Sequence, residues 1–86
     1  MNITTGKTFD KALNKLSPKQ QSKTQQRLNQ WLINPRIPSL CDHALRGKWK
    51  GYRSINVGGD LRVIYRYVSP QEILLATVGT HSQLYE

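Results

Sequence analysis

The two histidines of this sequence are its best candidates for proton transfer near neutral pH. His43 lies in a polar stretch, and His81 follows the last apolar run of the chain. RNA cleavage needs two proton transfers, one from the 2′-hydroxyl to a base and one from an acid to the departing 5′-oxygen, and an imidazole can perform either. From spacing alone, a surface or helix-capping role is the simpler explanation of His81, and His43 has the same ambiguity.

Asp60 and Tyr85 can each have either a structural or a functional role. Asp60 follows Gly58-Gly59, so it either completes a turn or orients a histidine, and the bare sequence favours the turn. Tyr85 is either an anchor of the terminal segment or a stacking platform. Cys41 is the single cysteine, which excludes a disulfide within the chain and makes a tetrahedral zinc site improbable. We therefore expect no metal and no cofactor.

A basic segment with interleaved aromatic residues covers residues 46–53. It contains four cations, two aromatic rings and no acid. Cations can bind a phosphate backbone while an aromatic ring stacks on an unpaired base, as in many complexes with single-stranded RNA. Trp49 by itself suits a core position equally well, but the cluster as a whole favours nucleic-acid contact. The candidate RNA-binding residues are Arg46, Lys48, Lys50 and Arg53.

The net charge of +8 on 86 residues indicates a polyanionic partner without identifying it. Most of the excess lies in residues 1–40, which have a net charge of +6. A basic series steps by four through this half, at Lys7, Lys11, Lys15, Lys19, Lys23 and Arg27. We interpret it mainly as solvation of the outer helical faces, although a structured RNA such as ribosomal RNA suits it too.

The length allows one domain, which we place at residues 1–86. The longest unbroken apolar run covers residues 73–76, far fewer than the roughly 20 residues of a membrane-spanning helix. Residues 1–10 lack the apolar stretch of a secretory signal. We therefore expect a cytoplasmic protein that has no membrane partner.

Two amphipathic helices are predicted in the first half of the chain. Apolar residues at helical spacing predict the first over residues 7–16. A capping box that begins at Ser17 predicts the start of the second, which should end at Asn34 because a proline follows. The short connection predicts a helical hairpin. The side chains expected to face inward from the second helix are Leu28, Trp31 and Leu32.

Strands are predicted in the second half, after a long aperiodic loop over residues 35–50. Three runs are rich in Val, Ile, Leu and Tyr, namely Tyr52–Val57, Leu61–Val68 and Glu72–Val78. Residues 2–4 are a more polar candidate for a fourth strand. The fold class is therefore α+β, with both helices packed on one face of a small antiparallel sheet of three or four strands.

The turn at Gly58-Gly59 decides which side chains share a face of this sheet. A plain two-residue turn would place Ser54 and Asn56 on the core face, together with Leu61, Val63 and Tyr65. The opposite face would then present three arginines, Arg53, Arg62 and Arg66, whose planar guanidinium groups suit bidentate contact with phosphates.

Three segments of the second half resemble the YafQ branch of the RelE-type bacterial toxins. They are DHALRGKWKGYR at residues 42–53, GDLRVIY at 59–65 and GTHSQLY at 79–85. The N-terminal helices match this branch only in placement and polarity. Members are toxins of type II toxin–antitoxin pairs that cleave messenger RNA without metal, usually in the ribosomal decoding site. The resemblance implies a RelE-like fold, and as partners a cognate antitoxin, messenger RNA and the ribosome.

The resemblance also implies roles for individual residues. His43, Asp60 and His81 fall on the catalytic positions of the YafQ pattern, with His81 as the acid that protonates the leaving oxygen. Tyr85 falls on an aromatic position that helps to place the substrate, and Arg62 on an arginine that stabilises charge on the phosphorane. The implied reaction is attack by the 2′-hydroxyl, which gives a 2′,3′-cyclic phosphate.

Ser54 and Asn56 depart from the YafQ pattern, which has an acid and a histidine at these positions. Neither can serve as a general base at neutral pH. His43 or Asp60 would have to accept the proton, or catalysis would depend on orientation and charge stabilisation. The family site would also have these two positions facing RNA, which a β-bulge near Gly58-Gly59 would achieve.

Two alternative functions stay open at this point. A toxin homologue that has lost catalysis could act through RNA or antitoxin binding alone, as the two departures suggest. A ParE-like inhibitor of DNA gyrase would have the same fold without needing the histidines. An acidic antitoxin is expected as the protein partner, because the +8 surface and the functional face both need covering in the resting cell.

Overall fold

The computed structural model describes residues 1–85 of the chain. In chain order its elements are β1 (Asn2–Thr5), α1 (Lys7–Asn14), α2 (Pro18–Ile33), β2 (His43–Ala44), β3 (Arg53–Gly58), β4 (Leu61–Ser69), β5 (Glu72–Thr80) and α3 (His81–Tyr85). Two 3-10 turns, Pro38–Leu40 and Gly47–Trp49, lie between α2 and β3.

A capping box fixes the start of α2. The Gln20 backbone N–H donates to Ser17 Oγ at 3.1 Å, and the Ser17 backbone N–H donates to Gln20 Oε1 at 3.1 Å. Pro18 occupies the first turn, and Asn34 is the C-cap. The predicted start and end of α2 are therefore confirmed. Helix α1 ends at Asn14, two residues earlier than the sequence predicted.

Replacement of Ser17 by alanine is expected to lower the free energy of unfolding by about 1 kcal/mol, because it removes the Oγ that accepts from the Gln20 backbone N–H. Urea denaturation of the two proteins measures the difference. Ser22→Ala, at an exposed position inside the same helix, is the matched control and should cause no loss, since alanine favours helix interiors. Equal losses in both variants would contradict a capping role.

The sheet has five strands in the order β1-β5-β4-β3-β2. Strands β2 to β5 pair antiparallel, whereas β1 lies parallel to β5 with Asn2 opposite Glu72. The expectation of three or four wholly antiparallel strands is thus corrected to a mixed sheet of five. The extra strand is β2, which has two residues within the predicted loop and is too short to show a period in the sequence.

A β-bulge at the end of β3 sets the faces of the sheet. Asn56 pairs with Arg62, but Gly58 pairs with Leu61, so that Val57 is the additional residue. Gly58 has φ of 135°, a conformation that favours glycine. A Cβ atom on Gly58 would lie 2.8 Å from Cγ of Lys23 in α2, so this turn also requires glycine for close approach to the helix.

The bulge reverses the predicted orientation of β3. Because Asn56 lies opposite Arg62 and paired residues project to the same side, Asn56 and Ser54 face away from the core. The expectation that they share a face with Leu61 and Val63 is therefore wrong. The expectation that Arg53 shares a face with Arg62 is also wrong, because Arg53 lies opposite Tyr65. The alternative expectation of a bulge near Gly58-Gly59 is confirmed, and the bulge turns Ser54 and Asn56 to the other face of the sheet.

The core fills the space between the two long helices and one face of the sheet. Phe9 of α1 and Trp31 of α2 pack with buried strand residues that include Ile55 and Tyr65, so the predicted packing of both helices on one face is confirmed. Leu32 is 45% exposed, and its predicted inward orientation is wrong. The buried stripe of α2 follows the helical period through Thr24, Leu28 and Trp31, and Leu32 lies beyond its edge.

Candidate active site

The sheet face opposite the two long helices contains the candidate active site. His43 in β2 lies opposite Ser54 in β3, and Asn56, two residues further along β3, lies opposite Arg62 in β4. Since cross-strand neighbours and alternate residues of one strand project to the same side, His43 and Arg62 share this face. The short helix α3 continues directly from β5 and packs against that strand.

Four of the five residues assigned to catalysis by resemblance line one open pocket, which we call the site pocket. It has a volume of about 370 Å³ and is lined by His43, Leu45, Arg62, His81 and Tyr85. The structure thus brings both histidines, an arginine and a tyrosine together.

Asp60 is the fifth of these residues, and it lines a different pocket. That pocket, of about 580 Å³, lies between α2 and the β3–β4 turn, where Asp60 is accompanied by Lys19 and Lys23. The side chain is exposed at the turn, in agreement with the turn role that the bare sequence favours. Its catalytic role stays a prediction.

Helix α3 holds His81 and Tyr85 one turn apart, with ring centroids at 4.6 Å. A second capping box starts this helix. The Gln83 backbone N–H donates to Thr80 Oγ1 at 3.3 Å, and the Thr80 backbone N–H donates to Gln83 Oε1 at 2.8 Å. Helix α3 was not predicted from the sequence, although the spacing of Thr80 and Gln83 is the signature of such a box.

Trp49 ties the basic segment to α3. Its indole Nε1–H donates to the Leu84 carbonyl at 3.0 Å, and its ring meets Tyr52 edge to face at a centroid distance of 5.4 Å. The half-buried tryptophan therefore has a structural role, one of the two alternatives for this residue. Through this contact the segment next to the site pocket supports the helix that contains His81 and Tyr85.

The hydrogen bond of His43 defines its tautomer. Nδ1 lies 2.6 Å from the carbonyl oxygen of Cys41. A carbonyl oxygen can only accept, so Nδ1 is assigned the proton, and Nε2 of the neutral ring then has a free lone pair. This arrangement suits His43 for taking up a proton rather than for donating one.

The arginines of the site differ in how they are held. Arg62 donates from Nη1 to the carbonyl oxygens of Gly59 and Leu61 at 3.1 and 3.0 Å, which orients its half-buried guanidinium group. Arg53 donates from Nε to Asp42 at 3.1 Å, so a structural contact occupies one edge of this candidate RNA-binding residue. The remaining candidates, Arg46, Lys48 and Lys50, are exposed. Their role in RNA binding stays a prediction.

The two residues that depart from the YafQ pattern have other environments. Ser54 is fully buried, and its Oγ has no hydrogen-bond partner among residues 1–85. Asn56 Oδ1 accepts from the backbone N–H of Gly58 at 2.9 Å, which stabilises the bulge. Asn56 therefore contributes to the geometry of the site face rather than to proton transfer.

No helix in residues 1–85 combines the length and the apolar character required to cross a bilayer. In the same part of the chain, no three or more His, Cys, Asp or Glu side chains are grouped in a way that could hold a metal ion.

Sequence comparisons place the chain among bacterial toxins. A family model described as a bacterial toxin of a type II toxin–antitoxin system, YafQ, matches residues 1–86. A Haemophilus influenzae protein with the YafQ name is 47% identical over 45 residues, which are 49% of this chain and 44% of that protein. The mRNA interferase toxin YafQ of Escherichia coli is 37% identical over 57 residues, which are 63% of this chain and 61% of that one. The aligned regions span about half the length of these curated relatives.

Structural comparisons cover nearly the whole chain. The crystal structure of YafQ from E. coli matches with a TM-score of 0.78 and 26% identity, over 99% of this chain and 98% of that one. YafQ in the E. coli DinJ-YafQ toxin–antitoxin complex matches with a TM-score of 0.77 and 26% identity, over 99% and 97%. A YoeB/ParE toxin from Agrobacterium tumefaciens, at 16% identity and a TM-score of 0.74 over 94% and 99%, shares the fold. The chain belongs to the YafQ family of bacterial toxins of type II toxin–antitoxin systems.

Proposed function

We propose that this protein is a ribosome-dependent endoribonuclease that cleaves messenger RNA and thereby inhibits translation. The observation that supports the proposal most is the site pocket, in which His43, Arg62 and His81 surround one open space. A base, a cation and an acid are the three groups that cleavage by the 2′-hydroxyl requires, and protein side chains supply all three without a metal. The E. coli relative is named an mRNA interferase.

In the proposed reaction, Nε2 of His43 removes the proton of the 2′-hydroxyl, and the 2′-oxygen attacks the adjacent phosphorus. Arg62 stabilises the additional negative charge on the phosphorane. The bond from phosphorus to the 5′-oxygen then breaks, and protonated His81 donates its proton to that oxygen. The products are a 2′,3′-cyclic phosphate and a 5′-hydroxyl. His43 is the better candidate base than Asp60, because Asp60 lines the other pocket.

A single 2′-deoxynucleotide tests this chemistry directly. We expect a messenger RNA with one 2′-deoxynucleotide at the mapped cleavage position to be resistant there and to be cut at its other sites, because the internal nucleophile is missing. The all-ribose message is the control, and end-group analysis of its products should show the cyclic phosphate. Cleavage at the deoxy position would contradict attack by the 2′-hydroxyl.

The exposed basic segment is proposed to hold the RNA backbone near the site pocket. Replacing Lys48 and Lys50 together by glutamine is expected to weaken binding of single-stranded RNA and to reduce the slope of log affinity against log salt by about 0.7 for each phosphate that the variant no longer neutralises. Fluorescence anisotropy at several salt concentrations measures both quantities. Lys15→Gln, an exposed lysine immediately after α1, is the control for loss of a positive charge outside the basic segment. An unchanged slope in the double variant would contradict the assignment.

The proposed partners follow from the family and from the charge. YafQ of E. coli has been solved in a complex with DinJ, and we propose a corresponding antitoxin for this chain. The net charge of +8 favours an acidic one. Messenger RNA on ribosomes is a cytoplasmic substrate, so we place the protein in the cytoplasm.

A toxin homologue that binds without cutting is the second candidate function. It is favoured by Ser54 and Asn56, because the first is buried without a hydrogen-bond partner among the described residues and the second is engaged with Gly58. Retained RNA affinity with no cleavage of the all-ribose message would support it.

A further inference from the structure

The loop before His43 contains a nearly buried carboxylate, that of Asp42, which takes no part in the proposed reaction. Asp42 accepts hydrogen bonds from donors on three different elements. They are Trp31 Nε1 of α2 at 3.1 Å, Arg53 Nε of β3 at 3.1 Å, and the Tyr65 hydroxyl of β4 at 2.7 and 2.8 Å from the two carboxylate oxygens. The side chain of Asp42 is 15% exposed.

The donors around Asp42 are themselves held firmly. The rings of Trp31 and Tyr65 are buried and lie 4.8 Å apart, and Arg53 Nε also approaches the Tyr65 hydroxyl at 3.2 Å. Burial, together with the hydrogen bond to Asp42, raises the pKa of Tyr65, so the phenol remains protonated and donates. A buried carboxylate with a positive partner and additional hydrogen bonds has one preferred position.

This position determines the path of the backbone on either side of Asp42. The preceding residue, Cys41, is the only residue other than glycine with positive φ in the described part of the chain, at 49°. Its carbonyl oxygen accepts the hydrogen bond from His43 Nδ1. The contact between Cys41 and His43 thus spans the residue whose side chain is anchored to the core.

We propose that Asp42 is a positioning residue: anchored by Trp31, Arg53 and Tyr65, it holds the Cys41 carbonyl against Nδ1 of His43 and so leaves Nε2 unprotonated. The inference rests on the proposed function, in which Nε2 receives the proton of the 2′-hydroxyl. Asp42 itself neither touches the RNA nor exchanges a proton. The effect is similar to that found in metal sites, where a group that accepts a hydrogen bond from one ring nitrogen of a histidine fixes the tautomer and leaves the other nitrogen unprotonated.

Nitrogen-15 NMR of the imidazole rings tests the tautomer without any need for cleavage. The chain has two histidines, and spectra of His43→Gln assign their signals. At a pH where both rings are neutral, we expect wild-type His43 to have its proton on Nδ1, and Asp42→Ala to give a mixture of tautomers. Asp10→Ala, an exposed acid of α1, is the matched control and should leave the signal unchanged. A wild-type proton on Nε2, or an unaltered signal in folded Asp42→Ala, would overturn the proposal.

Kinetics of the same variants provide a second readout. Asp42→Ala is expected to lower kcat by about 10- to 100-fold, with a smaller change in KM, because the base is displaced while the exposed cations Arg46, Lys48 and Lys50 are kept. A larger change in KM than in kcat would overturn the positioning role. If wild-type protein cuts no RNA, the proposed function fails, whereas the NMR result still decides the placement of the His43 proton.

Two milder variants keep the test decisive if Asp42→Ala does not fold. Trp31→Phe and Tyr65→Phe each keep an aromatic ring and remove one donor to Asp42. Each is expected to shift the His43 tautomer partway and to lower kcat less than the loss of the carboxylate does. Folded variants with the wild-type tautomer and wild-type kcat would overturn the proposal.

Discussion

Replacing His81 by alanine is expected to slow messenger RNA cleavage by about 10²- to 10⁴-fold, the usual contribution of a general acid. His81 lines the site pocket at the start of α3, where its ring is exposed. Without it, the 5′-oxygen would have to leave as an unprotonated alkoxide. Single-turnover rates in a reconstituted translation reaction measure the loss. Circular dichroism and the thermal midpoint should be unchanged, because an exposed side chain contributes little to the core.

A substrate with a better leaving group provides a second, more specific test of the role of His81. A substrate with sulfur in place of the 5′-oxygen releases a thiolate, which needs no protonation. If His81 is the acid, this substrate should restore most of the rate to His81→Ala. Ser82→Ala, the exposed neighbour on α3, should retain wild-type rates on both substrates. Undiminished cleavage of the oxygen substrate by folded His81→Ala would contradict the assignment.

Replacing Arg62 by alanine is expected to lower kcat by about 10²- to 10³-fold, the effect of removing one donor to a developing oxyanion. The hydrogen bonds from Nη1 to the carbonyls of Gly59 and Leu61 hold the guanidinium group in place before substrate binds. Arg62→Lys should recover only part of the loss, since an ammonium group lacks the planar fork. Single-turnover rates at saturating RNA separate this effect from binding.

Arg66→Ala is the matched control for Arg62→Ala. Arg66 lies four residues further along β4, is half-buried like Arg62, and is not among the residues that line the site pocket in the described structure. The Arg66→Ala substitution removes the same charge from the same strand, so we expect a small change in RNA affinity and little change in kcat. Equal losses of kcat in the two variants would show that the overall charge of the strand matters, and not stabilisation of the phosphorane by Arg62.

The elements that the sequence predicted well are those determined by local interactions. The start of α2 follows from Ser17, Pro18 and Gln20, and its end from the proline after Asn34, all within a few residues of one another. Strand β1 and the two-residue strand β2 depend on pairing with distant residues. Short polar segments of this kind have no period of their own, so their pairing could not be predicted with the same success.

The residue types of the candidate site could be predicted from the sequence, but their arrangement in the fold could not. The motifs around His43, Arg62 and His81 suggested the chemistry. Whether the three side chains line one pocket depends on the additional residue of the bulge in β3. A one-residue shift of register reverses every side chain of a strand, and the glycines of the turn permit a plain turn as well as a bulge. The Asp42 contacts likewise join residues up to 23 positions apart, which no local pattern indicates.

Primer-extension mapping of a messenger RNA in a reconstituted translation reaction, with ribosomes and without them, tests the proposed nuclease function most directly. The expected result is discrete cuts by the wild-type protein that require ribosomes and disappear with His81→Ala. Added purified antitoxin should suppress them. An intact message in the presence of folded wild-type protein and active ribosomes would contradict the proposed function.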